Sequence, residues 1–439
     1  MKKRQRYSLL ITVLAVLFLF TGCSLDVEQF LRPPQTQGEQ QALRLALETY
    51  IRDSGQSGSG YTLCYPVEGQ HTAAFILCDT DGKPVADDDE NAALALAFYA
   101  LTSSPNDTHI NMLRREGDEW ISVTDIVGAS SDILQVAFGD LDGDGTAELL
   151  TGWDTYNSRD HYLKVFSLRQ ELATLSDDRF YTRLFVGNLT AGDQDSLLLL
   201  RVAGNNAVYV SLDILRDGKL KCLGRVALDG QIQQITAMAL CRLAPNVHGL
   251  YIDAIKGTDT AITELVYYDA DGLHAPFCDQ LSMVNTVTAR PAGFAMRDVD
   301  GDATIDVPSC TLLPSYDAGE SLADYAYRTD WFSWDYDRRE WTANISSVMN
   351  TVDGYLVALN EQLRDMVTTT YTAEKKQLTL VSLADNRPIL RLRVPSDDEN
   401  ESYTMLYEPT EGYAGCEAWF DEELLDIDTV RYMVSRLNA

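Results

Sequence analysis

One repeated unit constrains this chain more than any single motif: a short apolar strand, a polar turn and a second apolar strand. It appears as Ala73–Asp79 followed by Ala92–Tyr99, and as Leu134–Asp140 followed by Glu148–Trp153. It returns as Leu184–Asn188 with Ser196–Leu200, as Ile235–Cys241 with Gly249–Asp253, and as Ala292–Asp298 with Ile305–Val307. The turns start at 79, 140, 188, 241 and 298. Spacings of about 50 to 60 residues suit one four-stranded sheet per unit. Between the turns lie strands with aromatic alternation, such as His161–Phe166 and Thr263–Tyr268, and Trp331–Tyr336 completes the last unit. Continuous apolar strands need cover on both faces, which radial stacking of sheets supplies. The fold expected is mainly β: a β-propeller over residues 61–348.

The turns differ in chemistry. Asp140-Leu-Asp142-Gly-Asp144-Gly145-Thr146-Ala-Glu148 places carboxylates at alternating positions of a tight loop, with the Thr146 carbonyl as a further oxygen. Carboxylates crowded in this way repel one another unless a cation joins them, and hard oxygen donors in a flexible loop select Ca²⁺. An Asp-Gly hairpin turn would explain one such pair and not three alternating aspartates. The spacing recurs at Asp298, Asp300, Asp302, Thr304 and Asp306, where Ala303 stands in the place of Gly145. If the positive φ is kept there, Ala303 carries a strain of about 1 kcal/mol and weakens the site. In the first unit Lys83 replaces the third carboxylate, and Asp87–Glu90 reads as a solvated loop. The turns at Asn188 and Cys241 lack the acids and read as structural.

The two acidic loops, each behind a Phe-containing strand and one of them after the pair Phe138-Gly139, resemble FG-GAP/VCBS repeats. These are the calcium-loop blades of integrin-α-type β-propellers. The resemblance spans roughly residues 61 to 345 and is specific at two loops. With the termini described next, the chain is similar to uncharacterised VCBS-repeat lipoproteins of Gram-positive anaerobes. It implies a propeller and calcium, and no single activity.

At the N-terminus Lys2, Lys3, Arg4 and Arg6 precede an apolar run from Leu9 to Phe20 and the small-residue step Thr21-Gly22-Cys23. The run is shorter than the roughly 20 residues of a spanning helix. Residues 1–22 read as a lipoprotein export signal and Cys23 as the lipidated residue, anchoring the chain to a membrane on its extracytoplasmic side. Residues 23–60 form a tether with Pro33-Pro34 and a short helix, where Leu43, Leu47, Tyr50 and Ile51 share a face. Residues 349–439 read as a small α+β domain: helices at Leu356–Met366 and Leu424–Leu437, with strands at Gln377–Leu383, Ile389–Val394 and Tyr403–Tyr407.

The formal charge of −31 disfavours nucleic acid as a partner and favours divalent cations. Seven cysteines besides Cys23 make an odd number without a CxxC, so free thiols are expected. The function expected is a calcium-stabilised binding or interaction module at the cell envelope, with a protein or glycan ligand. The competing expectation is an envelope polysaccharide-active enzyme, a lyase or hydrolase. No Ser/His/Asp arrangement or phosphate-cradling loop supports it, and Asp160-His161 reads as a surface pair. Trp331, Trp334 and Trp341 read as core packing before a docking surface.

Overall fold

The computed structural model describes residues 38–56, 58, 60–87, 89–155, 160–175, 179–190, 192–203, 207–315, 323–396 and 402–437. The export segment, Cys23 and the Pro33-Pro34 tether lie outside the described residues. No helix among those described is long and apolar enough to cross a membrane.

Helix α1 (Gly38–Ile51) comes first. Leu43, Leu47 and Ile51 lie at i, i+4 and i+8, so one stripe is buried. That stripe packs on the first sheet, formed by β1 (Tyr61–Leu63), β2 (Phe75–Cys78), β3 (Leu94–Leu101), β4 (Ser104–Glu116) and β5 (Glu119–Val127). Trp120 Nε1 donates to Glu39 Oε1 at 2.7 Å and clips the helix down. Strands β1 and β2 lie end to end along one edge of β3.

The second sheet holds β6 (Ile133–Gly139), β7 (Glu148–Trp153), β8 (His161–Ser167), β9 (Ala173–Thr174) and β10 (Arg179–Tyr181). The third is a plain meander of β11 (Arg183–Gly187), β12 (Ser196–Ala203), β13 (Ala207–Arg216) and β14 (Lys219–Leu228). The fourth has β15 (Ile232–Ala244), β16 (Val247–Lys256), β17 (Thr260–Asp269), β18 (Gly272–His274) and β19 (Arg290–Pro291). The fifth has β20 (Val307–Leu312), β21 (Tyr327–Asp335), β22 (Glu340–Asn350) and β23 (Tyr355–Leu359). The sixth has β24 (Val367–Thr372), β25 (Gln377–Ser382), β26 (Pro388–Arg393), β27 (Thr404–Tyr407) and β28 (Cys416–Phe420). After helix α2 (Ile427–Met433), β29 (Val434–Arg436) returns to pair with β23. The chain is therefore mainly β, built from antiparallel sheets.

Consecutive sheets pack face to face. Ile76 and Phe98 meet Leu149 and Trp153 between the first and second, and Leu150 and Val165 meet Leu197 and Leu199 between the second and third. Val210 meets Ile252 between the third and fourth, Leu265 meets Val307 between the fourth and fifth, and Val348 meets Leu378 between the fifth and sixth. The first sheet's other face is covered by α1. No core cluster joins the sixth sheet to the first among the described residues.

Several expected elements differ. Leu356–Met366 is not a helix: its start is β23, because Leu356 and Val357 pair with Met349 and Val348 and bury their side chains. Leu424–Leu437 is helical only over α2, then turns extended to complete the fifth sheet. Residue 348 is not a boundary in the fold, since β22 runs through it and one core holds residues of both the fifth and sixth sheets. Ala292–Asp298 is not a strand. There Arg290 turns inward to Asp253 at 2.8 Å and Phe294 is buried against Trp331, so the chain is crossing between sheets. The turn expected at Cys241 comes later, because β15 continues to Ala244 and pairs with β16 across a tight hairpin.

Trp331 is fully buried and donates to Ser347 Oγ at 2.8 Å, while Trp334 and Trp341 pack on Phe277. Trp331 is core, and Trp334 and Trp341 are half-buried against the core around Phe277. The seven cysteines from Cys64 to Cys416 are free thiols.

The Phe-Gly pair has a physical reason here. A Cβ on Gly139 would lie 2.4 Å from Val186 Cγ1, where β6 and β11 of neighbouring sheets approach. Gly139→Ala therefore forces the Val186 side chain, or the strand that carries it, to shift. It is expected to cost about 1–3 kcal/mol, read as a lower midpoint in urea unfolding with unchanged slope.

Candidate metal centres

The loop 140–148 joins β6 to β7, and the loop 298–306 leads into β20. Both wind around their first carboxylate. Asp140 Oδ1 accepts from the N–H groups of Gly143 (2.8 Å) and Asp144 (3.1 Å), and Oδ2 from Gly145 (2.9 Å). Asp298 Oδ1 accepts from Gly301 at 2.7 Å and Oδ2 from Ala303 at 2.9 Å. The turn needs positive φ at two places. Gly143 (78°) and Gly145 (88°) supply it in one loop, Gly301 (80°) and Ala303 (65°) in the other. Ala303 thus adopts the conformation that its glycine counterpart adopts freely.

The last acid of each loop is buried and ties the loop to its own start. Glu148 Oε2 accepts the N–H of Leu141 at 2.9 Å, and Asp306 Oδ2 that of Val299 at 3.1 Å, each seven residues back. The third sheet keeps the same brace with a neutral group, since Ser196 Oγ accepts from Leu189 at 3.0 Å.

Ligand oxygens of Asp140, Asp142 and Glu148 lie within 4.8 Å of one another, and those of Asp298, Asp300 and Asp306 do likewise. Asp144 and Asp302 stand outside these groups. Asp144 Oδ2 instead takes Arg169 Nη1 at 2.7 Å, which holds its carboxyl below the usual range. Asp302 Oδ1 accepts the N–H of Thr304 at 2.6 Å. Thr146, expected to offer a carbonyl, is held through its amide on Asp144.

Burial and the neighbouring carboxylates set the protonation. Glu148 is 3% exposed, and desolvation, with Asp140, Asp142 and Asp144 nearby, pushes it up to about 8. Burial likewise raises Asp306 to about 6, although Asn344 Nδ2 donates to it at 2.6 Å. Asp142 is raised too, by desolvation first. The donors are all oxygens, three carboxylates per loop, and positive charge at either site would favour the ionised form of its buried acid. The residues fit a hard divalent cation.

Partners that the repeat did not flag brace the first loop. Asp195 Oδ2 accepts the N–H of Asp140 at 3.1 Å, and Leu141 O accepts from Leu215 at 2.9 Å, both from the third sheet. From the other side Asp81 O accepts the N–H of Ala147 at 2.8 Å. The Asp79 turn, wrapped on its own Oδ1 by the N–H groups of Asp81 and Lys83, is thus a strut for the loop beside it. Asp160 holds Arg201 at 2.8 Å, and His161 packs edge-on to Tyr181.

A second buried polar set lies in and beside the fourth sheet. Lys256 Nζ meets Asp229 Oδ2 at 2.9 Å, and Glu264 Oε1 accepts the N–H of Asp229 at 3.0 Å. Glu264 Oε2 is buried without a hydrogen-bond partner, and desolvation pushes the carboxyl up to about 8. No sequence signal marks this group, because the acid sits in an apolar run.

No family model and no curated protein matches the chain. Among solved structures it is similar to rhamnogalacturonan lyase YesW, with TM-score 0.31 and 10% identity, covering 79% of this chain and 68% of that one. The Bacillus licheniformis rhamnogalacturonan lyase PL11 gives 0.31 and 8%, covering 82% and 74%. A protein from Lactobacillus plantarum gives 0.28 and 10%, covering 73% and 84%. Likenesses at this level carry no functional argument.

Two outcomes follow from this geometry. Ala303→Gly relieves the positive-φ strain and should stabilise the fold by up to about 1 kcal/mol in equilibrium unfolding. Glu264 binds its proton more tightly folded than unfolded, so stability falls as pH rises from near 4.5 towards about 8. Its slope approaches about 1.4 kcal/mol per pH unit. Glu264→Gln should flatten that part of the stability–pH curve and leave stability at pH 5 nearly unchanged.

Proposed function

We propose that this chain is a membrane-anchored, extracytoplasmic lipoprotein whose stacked sheets form a propeller-type scaffold, stabilised by calcium, that presents binding loops at the cell envelope. One observation carries the reading. The second and fifth sheets, far apart in sequence, each end a strand-connecting loop in a buried acid, and each gathers three carboxylates within 4.8 Å. Repeating the arrangement in two sheets answers one physical demand, the neutralisation of carboxylates that the fold itself desolvates.

Calcium would be held by Asp140, Asp142 and Glu148 in one loop and by Asp298, Asp300 and Asp306 in the other. Asp144, Asp302 and the carbonyls of Thr146 and Thr304 complete the sets expected from the sequence. The ion supplies charge and fixes loop shape. Protein groups do the rest: Asp195 and Leu215 hold the first loop against the third sheet, and Asn344 holds Asp306. Rigid elements carrying shaped loops are suited to recognition. Cys23 would carry the lipid, and the short tether would keep the acidic body close to the membrane without entering it.

Chelation with EDTA should lower Tm by about 5 °C, and added Ca²⁺ should restore it. Asp140→Ala should remove the part of the response that belongs to the first loop, and Asp298→Ala the remainder. Arg169→Ala should strengthen the response by releasing Asp144. A Tm that ignores EDTA in the unsubstituted chain would refute the calcium reading. Separately, Cys23→Ser should abolish incorporation of a labelled fatty acid and release the protein from membranes.

A further inference from the structure

In a chain with 66 acidic and 35 basic residues, one cavity is lined by three arginines. It is a cleft of about 510 Å³ between the edge strand β10 of the second sheet and a face of the third. That face is made by alternate residues. Leu197 and Leu199 of β12, Leu215 of β13 and Leu220 of β14 pack into the core between the two sheets. Farther along the same face come Arg201, Tyr209, Ser211 and Arg225, where the packing rule would place more leucines. Strand β10 has 3 residues against 10 in β13 and in β14, so among the described residues it does not extend over this part of the face.

Arg225 reaches the cleft because of a backbone irregularity. The β13–β14 register shifts between Leu212 and Asp213, so Leu223 has no partner across the ladder. Without that bulge Cys222 and Arg225, an odd number apart, would face opposite sides; with it both line the cleft. The other charges are spoken for. Arg201 is fixed by Asp160 at 2.8 and 3.0 Å. Asp213 takes Ser211 Oγ at 2.8 Å and has Arg179 Nε at 3.9 Å. Arg225 makes no hydrogen bond or ion pair among the described residues. Beside it Phe180 is 44% exposed and Tyr209 half-buried.

We propose that this cleft is a binding site for a carboxylate carried on a six-membered ring, the carboxylate on Arg225 and the ring against Phe180 and Tyr209. A planar guanidinium matches a carboxylate in paired hydrogen bonds, and aromatic side chains offer the flat apolar surface that a ring covers. Arg179 and Arg201 are offset by Asp213 and Asp160, so Arg225 is the cation the cleft leaves without a hydrogen bond or ion pair among the described residues, although its charge also acts on Asp213. A sugar acid and an aromatic acid share this chemistry. The site needs no metal, so it stands independently of the calcium loops.

Cys222 gives the test its readout, since it is the exposed thiol among the described cysteines and lines the same cleft. Alkylation of Cys222 by iodoacetamide is followed by peptide mass spectrometry in the full chain, with millimolar D-glucuronate, benzoate or glucose present. Glucuronate, benzoate or both should slow it several-fold, and which of them acts identifies the source of the ring; glucose should not. Arg225→Ala should weaken the protection about tenfold and Arg225→Lys should restore part of it. Continued non-reactivity of buried Cys78 and Cys416 shows that the variants are folded. No protection by either acid, equal protection by glucose, or full protection in folded Arg225→Ala overturns the proposal.

Discussion

A hydrogen bond seven residues long in sequence sets the shape of this molecule. In three sheets a side chain at or just before the start of the strand that follows the turn reaches back to the amide after the turn's first residue: Glu148 to Leu141, Ser196 to Leu189 and Asp306 to Val299. The bond closes the loop, delivers the chain into the next strand, and buries an oxygen that must have a donor. Serine satisfies it without further demand. The two acids satisfy it but put an ionisable group in a dry place, and the neighbouring aspartates make ionising it costlier. The acids that close these two loops are thus the same ones that the proposed cation would neutralise.

The sheets inherit their spacing from residues too small to see in a hydropathy profile. Gly139 allows β6 within contact of Val186 of the next sheet, and within the second sheet a Cβ on Gly152 would collide with the Tyr181 hydroxyl. Where large side chains do fill the interfaces, they do so in sequence order, each sheet meeting the one before and the one after. The Asp79 turn, the 140–148 loop and Asp195 form a run of contacts across the first three sheets. Order in one turn is passed to the next through backbone amides.

Most of the strands were legible because their apolar runs are bounded by turn residues, and α1 because Leu43, Leu47 and Ile51 repeat at helical spacing. The conformation of Ala303 was legible from the glycine standing at its counterpart. Leu356–Met366 misled because a short apolar run in β23 has no periodicity to separate helix from strand, and pairing with β22 decided it. Ala292–Asp298 misled because it copies the repeat's composition while Arg290 and Phe294 are used to cross between sheets. Asp195, Arg169 and the Glu264 group were invisible, since their partners lie in other sheets. So was the arginine-lined cleft, which depends on a bulge at Leu223.

The return of β29 to β23 makes the sixth sheet an insertion within the fifth. A chain emerging N-terminus first can assemble its first four sheets as they appear. The fifth cannot be completed until Val434–Arg436 is free, because that segment is its edge strand. Assembly thus has a final, late-closing stitch. Until it is made, the edge of β23 stays unpaired between the appearance of Leu359 and of Arg436, a row of open backbone groups that another strand could pair with.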